Sequence, residues 1–119
     1  MRYAILCYND EAVTSAWSKE EDEAVMARLQ VVHDRIADKL GPAIRLQPTT
    51  SATTLRKSQN LVIDGPYAET KEQLLGFYII DVESLDEGLQ IARELGQANP
   101  GGAYELRPLM LYLPGKPMT

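Results

Sequence analysis

The sequence predicts an α+β fold in which an antiparallel sheet carries two helices on one face. Three observations predict it. Strand-like and helix-like segments alternate in the order β-α-β(β)β-β-α-β. Each helical segment opens on a capping signal and carries one apolar stripe. The strand-like runs are short, apolar and rich in strand formers. Two helices returning onto an antiparallel sheet in this order form a ferredoxin-like arrangement.

The first strand is "RYAILCY", Arg2 to Tyr8, and "NDEAVTSAW" breaks it. Ser18 and Glu21 fit the capping box, in which each side chain bonds the other's free backbone N–H. Val25, Leu29, Val32, Ile36 and Leu40 then recur at three- and four-residue steps, so a first long helix is predicted up to Gly41-Pro42. "AIRLQP" and the β-branched stretch Thr49 to Arg56 suggest two short strands or one bent one. "SQN", Ser58 to Asn60, is a turn, so Thr53 to Arg56 and Leu61 to Asp64 read as a hairpin. "LLGFYIIDV", Leu74 to Val82, is the strongest strand. Ser84 and Glu87 repeat the capping box, and Leu85, Leu89, Ala92 and Leu95 form the second stripe, closed by Gly96. "NPGG" is a loop. Ala103 to Leu113 is the last strand, with Pro108 indicating an edge or a bulge. One domain over residues 1–113 and a loose tail over 114–119 follow.

A sheet with helices on one face and water on the other should alternate apolar and polar residues. "LLGFYIIDV" does not, because Phe77 and Ile79 lie on one face while Tyr78, Ile80 and Val82 lie on the other. "AILCY" and "LMLYL" are likewise apolar on both faces. The chain has no third long helix to cover the second face. A second copy of the sheet is the natural cover, which predicts a homodimer packed sheet to sheet.

Composition narrows the partners. The 119 residues suffice for one domain with a core. The net charge of −5 argues against a nucleic-acid binder, whose affinity comes largely from Lys and Arg on phosphates. The single cysteine, Cys7, excludes an internal disulfide and a multi-cysteine metal site. One His, one Cys and scattered carboxylates give no metal-ligand spacing. Asn99-Pro100-Gly101-Gly102 lacks a phosphate-loop pattern, so no cofactor is predicted. The apolar run after Met1 is too short for a signal segment or a membrane span, and a soluble cytoplasmic protein without a membrane partner is expected.

Asp64-Gly65-Pro66 is turn chemistry: Asp bonds its downstream backbone, Gly allows positive φ, and Pro fixes φ. On the bland reading nothing more is needed. On the functional reading the turn presents the Asp64 carboxylate and the Tyr67 hydroxyl to a polar pocket near Tyr8. Glu69 and Lys71 would stand at its rim, and Asp64 would act as a general base on a small molecule. His33, the only histidine, lies at the border of the first helix's apolar stripe. That is commonly a surface position, yet histidine alone changes charge near neutral pH without help, so His33 is a candidate to share the acid/base work with Asp64. Cys7 in the first strand reads as a small buried hydrophobe. Trp17, just before the helix cap, reads as a lid on the core or on a pocket.

The block "DGPYAETKEQLLGFYIIDVESLDEGLQIA" resembles the YCII-related family, and within it the DGPF-domain proteins. "RYAILCYNDE" and "YELRPLM" resemble the two ends of that family, so the resemblance covers nearly the whole chain. Tyr67 stands where Phe is usual, and Leu75 replaces a commonly small residue before Gly76. The resemblance implies a ferredoxin-like domain that dimerises as an α/β barrel. It also implies a His-Asp pair in a cleft, present in some members, with Asp64 in the Asp position. It does not map the histidine onto His33. An alternative it implies is a non-catalytic regulatory or partner protein, for example one linked to a sigma-factor system.

Overall fold

A computed structural model describes residues 1–118; Thr119, the end of the expected loose tail, lies outside them. The chain forms β1 (Arg2–Asn9), α1 (Glu11–Thr14), α2 (Lys19–Arg35), β2 (Leu40–Arg45), β3 (Thr53–Arg56), β4 (Leu61–Asp64), β5 (Gln73–Asp81), α3 (Leu85–Ala98) and β6 (Ala103–Pro108). The fold is α+β. Its four-stranded sheet has the order β2-β5-β1-β6, with every neighbouring pair antiparallel. β3 and β4 pair separately as a two-stranded ribbon, with Thr53 opposite Asp64, as the hairpin reading expects.

The caps explain where the helices begin. Ser18 Oγ accepts from the Glu21 N–H at 3.0 Å, and Ser84 Oγ accepts from the Glu87 N–H at 3.2 Å. Each cap satisfies a donor that the helix itself leaves free, a contribution of about 1 kcal/mol.

The structure differs from the sequence reading in four places. α1 makes a third helix where only a break was expected; the Asp10 carboxylate accepts from the Ala12 N–H at 2.9 Å and closes one turn. α2 ends at Arg35, not at Gly41-Pro42, because the chain turns at Ile36 so that Leu40 can pair with Ile80. Gly41 and Pro42 therefore lie in β2. There the register shifts between Leu40 and Ala43, on an edge strand where a missing N–H is tolerated. α3 runs through Gly96 to Ala98, because Leu95 and Ala98 both bury in the core and packing outweighs the glycine. β6 stops at Pro108, and Leu109 to Leu113 leave the sheet.

The core lies between the helices and one sheet face. Tyr3, Ile5, Tyr78, Ile80 and Val82 meet Val25 and Leu29 of α2 and Ile91 and Leu95 of α3. Leu6, Ile44, Phe77 and Ile79 occupy the opposite face, half-buried or exposed, with no helix over them. The sheet is open, not a closed barrel. Gly76 is fixed by close approach: a Cβ there would lie 2.2 Å from the Ile44 carbonyl oxygen, so β2 can pair with β5 only past a glycine. The radius of gyration is 15.7 Å, against about 13.5 Å for a compact chain of this length.

Candidate functional site

A cleft of about 760 Å³ opens between α2 and the helix-facing side of the sheet. Its size lies within the range of small-molecule sites. Trp17, Val25, Met26, Leu29, Ala43 and Leu46 supply apolar wall, and Cys7, Tyr78 and Tyr104 line it from the sheet. Two elements place its one histidine. α2 carries His33 one turn beyond the buried Leu29, and β5 presents Tyr78 on the same side as Ile80. His33 Nε2 and the Tyr78 hydroxyl lie 3.0 Å apart, with the rings edge to face at 5.3 Å between centroids.

Burial sets the protonation of this inner wall. It lowers the His33 pKa below 6.5, outweighing the opposite pull of Asp34. It raises the Tyr78 hydroxyl well above the ordinary tyrosine range, with Tyr104 and Cys7 adding to the effect. Tyr104 is pushed up to about 12 by burial and by Cys7, with the Asn99 amide acting the other way. The Cys7 thiol is pushed up to about 12 by burial. At neutral pH the wall is therefore uncharged: a neutral imidazole, two phenols and a thiol. Cys7 is no nucleophile in this state, since the thiolate is the reactive form. The His33–Tyr78 pair can pass or hold a proton.

Two carboxylates on the cleft are already engaged. Arg45 on β2 grips Asp22 on α2 with both terminal nitrogens, at 2.6 and 3.3 Å. That grip holds the Asp22 pKa below 3.8 and raises that of Arg45. The Glu11 carboxylate accepts from the Thr49 N–H at 2.8 Å and from the Thr49 hydroxyl at 2.6 Å. Among the described residues, no group of three or more His, Cys, Asp or Glu is placed to hold a metal ion, and no helix is long and apolar enough to cross a membrane.

The sequence comparisons bear on this architecture directly. The family model of the YCII-related domain matches residues 1–112. The chain belongs to the YCII-related domain family. It is also 64% identical over 121 residues to a protein of Rhizobium meliloti (strain 1021) described as uncharacterized, covering 98% of each chain.

In this YCII-related chain the residues singled out by sequence divide into three places. Tyr8 and His33 both lie along the cleft. Glu69 lines a smaller hollow of about 370 Å³ with Thr49, Thr50, Pro66, Thr70 and Gln73. Thr50 lines both hollows, so the two adjoin. Asp64, Tyr67 and Lys71 line neither and are exposed. Asp64 ends β4 at the base of the ribbon. Tyr67 is 73% exposed, with the Arg56 guanidinium 5.3 Å from its ring centroid. The turn itself is tied down. The Gly65 N–H donates to the Ala52 carbonyl at 2.7 Å, and the Thr54 hydroxyl donates to the Gly65 carbonyl at 2.9 Å.

Tyr78, Glu11 and the Asp22–Arg45 pair are functional candidates that sequence reasoning missed. Tyr78 reads as one more apolar residue of the strongest strand. Its signal is only that a hydroxyl sits among Ile and Phe, where a buried phenol needs a partner. Gln73 closes the run Glu69-Thr70-Lys71-Glu72-Gln73. Its Oε1 accepts from the Glu11 N–H at 3.0 Å and its amide donates to the Thr70 carbonyl at 2.5 Å, which couples that run to α1.

Proposed function

We propose that this protein is a homodimeric, ferredoxin-like α/β barrel that binds a small molecule in the cleft between α2 and the sheet. The His33–Tyr78 pair would serve there as the acid/base group. One observation carries the reading: a neutral histidine in hydrogen-bond contact with a buried tyrosine, on the inner wall of a cleft of ligand size. A neutral imidazole with its pKa below the ordinary value accepts a proton near neutral pH, and the un-ionised phenol beside it donates a hydrogen bond.

The dimer part rests on the uncovered apolar face of the sheet. Both edge strands carry a proline, Pro42 in β2 and Pro108 in β6, which discourages edge-to-edge addition and leaves the face as the contact. Asp64 lies exposed outside both hollows of its own chain, so an acid/base role for it requires the second copy to bring it to a cleft.

The test is a fragment screen by thermal shift, followed by ¹H–¹⁵N NMR. The expected result is a small molecule that shifts the indole N–H of Trp17, the only tryptophan, and whose binding His33→Gln or Tyr78→Phe weakens. A screen in which no hit perturbs Trp17 or His33 would overturn the reading. A second reading, a non-catalytic partner protein, draws support from the ribbon. There Leu55, Leu61, Val62 and Ile63 are exposed beside Asp64, a surface suited to contact with another protein.

A further inference from the structure

We infer that the cleft accepts an uncharged molecule with a ring-sized apolar body and a hydroxyl head, and that it rejects anions. This rests on the small-molecule reading above and adds the class of ligand.

The charge balance of the lining comes first. Glu11, Asp22 and Arg45 are the charged side chains along the cleft, besides the neutral His33. Arg45 is the one cation among them, and its charge is paired with Asp22, to which each of its terminal nitrogens donates. Glu11 is spent on Thr49 and carries a negative charge that no basic residue of the lining offsets. A carboxylate or phosphate entering here would give up hydration and meet a lining whose one cation is already paired and whose net charge is negative, which disfavours it against an uncharged ligand.

The apolar lining calls for a matching body. Trp17, Leu29, Ala43, Tyr78 and Tyr104 surround the space from the loop, the helix and three strands. Aromatic walls favour a ring, through offset or edge-to-face contact.

The head follows from the polar groups left over. If the Tyr78 hydroxyl donates to His33 Nε2, the remaining lone pairs of its oxygen seek a donor. If His33 Nε2 donates instead, the Tyr78 hydroxyl is free to donate outward and seeks an acceptor. A hydroxyl serves both cases because it donates and accepts. Asn99, on the same lining, has an Oδ1 that is buried and has no hydrogen-bond partner among the described residues, an acceptor for the ligand hydroxyl's one hydrogen when Tyr78 is the donor.

The test uses two probes with the same ring system, 2-naphthol and 2-naphthoate, titrated into the ¹⁵N-labelled protein near neutral pH. Naphthol should shift the Trp17 indole N–H saturably, and naphthoate should bind at least about tenfold more weakly. Tyr78→Phe should weaken naphthol by about fivefold or more while leaving the spectrum folded, the loss expected for one hydrogen bond. Naphthoate binding as tightly as naphthol would overturn the inference, as would a Tyr78→Phe protein that binds naphthol unchanged. If neither probe binds while charged fragments perturb Trp17, the ligand class falls and the cleft stands. If no small molecule perturbs Trp17 at all, both fall.

Discussion

Glu11 holds Thr49 by two bonds at once, its carboxylate accepting from the Thr49 N–H at 2.8 Å and from the Thr49 hydroxyl at 2.6 Å. The residues are far apart in sequence, and their contact ties α1 to the loop that leaves β2. That loop contributes Gln47, Pro48 and Thr50 to the cleft. Glu11→Ala should destabilise the protein by about 1–2 kcal/mol, since hydrogen bonds to a charged group are among the stronger ones. Urea denaturation measures it, and Thr49→Val should cost less because it keeps the backbone donor. A Glu11→Ala protein with wild-type stability would show that the loop is held by other contacts.

The protonation of His33 predicts a pH dependence. Its pKa is lower in the folded chain than its ordinary 6.5, chiefly because burial disfavours the cation. The unfolded chain therefore binds the proton more readily, and stability falls as the pH drops below about 6.5 until the folded pKa is passed. Above that window the imidazole is neutral in both the folded and the unfolded chain, and stability does not change on this account. His33→Gln should flatten the slope of denaturation midpoint against pH between neutrality and the onset of carboxylate titration. Equal slopes in the two proteins would contradict the burial of His33.

Gly65 sits at φ +109°, a conformation open to glycine and unfavourable to other residues. A Cβ there would meet no atom within 4 Å, so backbone strain alone opposes a substitution. Gly65→Ala should destabilise by about 1–2 kcal/mol, and Gly65→Val by more, because a β-branched residue tolerates positive φ least. Thermal unfolding reads the difference. An alanine variant of undiminished stability would place the strain elsewhere.

A pair of neighbouring substitutions separates core from dimer contact. Ile80 is fully buried under the helices, while Ile79 lies on the uncovered face. Ile80→Lys should prevent folding, since an unpaired buried ammonium costs several kcal/mol. Ile79→Lys should leave a folded chain, and light scattering should find it monomeric where the wild type is dimeric. A wild type that is monomeric at micromolar concentration would end the dimer proposal.

Asp64→Asn tests the Asp64-Gly65-Pro66 turn. Asp64 is exposed, and the turn's recorded bonds run through Gly65, Ala52 and Thr54, so stability should change by less than about 0.5 kcal/mol. Loss of ligand binding in that variant would then locate Asp64 at a cleft of the assembled dimer. Unchanged binding would leave the cleft to His33 and Tyr78.

Local signals in the sequence determined much of this protein. Ser18 and Ser84 mark helix starts because capping is satisfied within four residues. Thr53 to Asp64 forms a hairpin because turn and strand chemistry are adjacent. The alternation of "LLGFYIIDV" already separates the Tyr78–Ile80 face from the Phe77–Ile79 face. Tertiary structure decided the rest. α2 stops before Gly41 because Leu40 has a strand to join, and α3 passes Gly96 because Leu95 and Ala98 have a core to fill. The site was the least legible part. His33 could be named as a candidate, but its partner Tyr78 lies 45 residues away. Only the packing of α2 across β5 makes them neighbours. Asp64 and Tyr67 lie three residues apart around one turn, yet that turn leaves a ribbon outside the sheet. Hydrogen bonding along the chain is written in neighbouring residues, whereas a cleft is written in which helix lies over which strand.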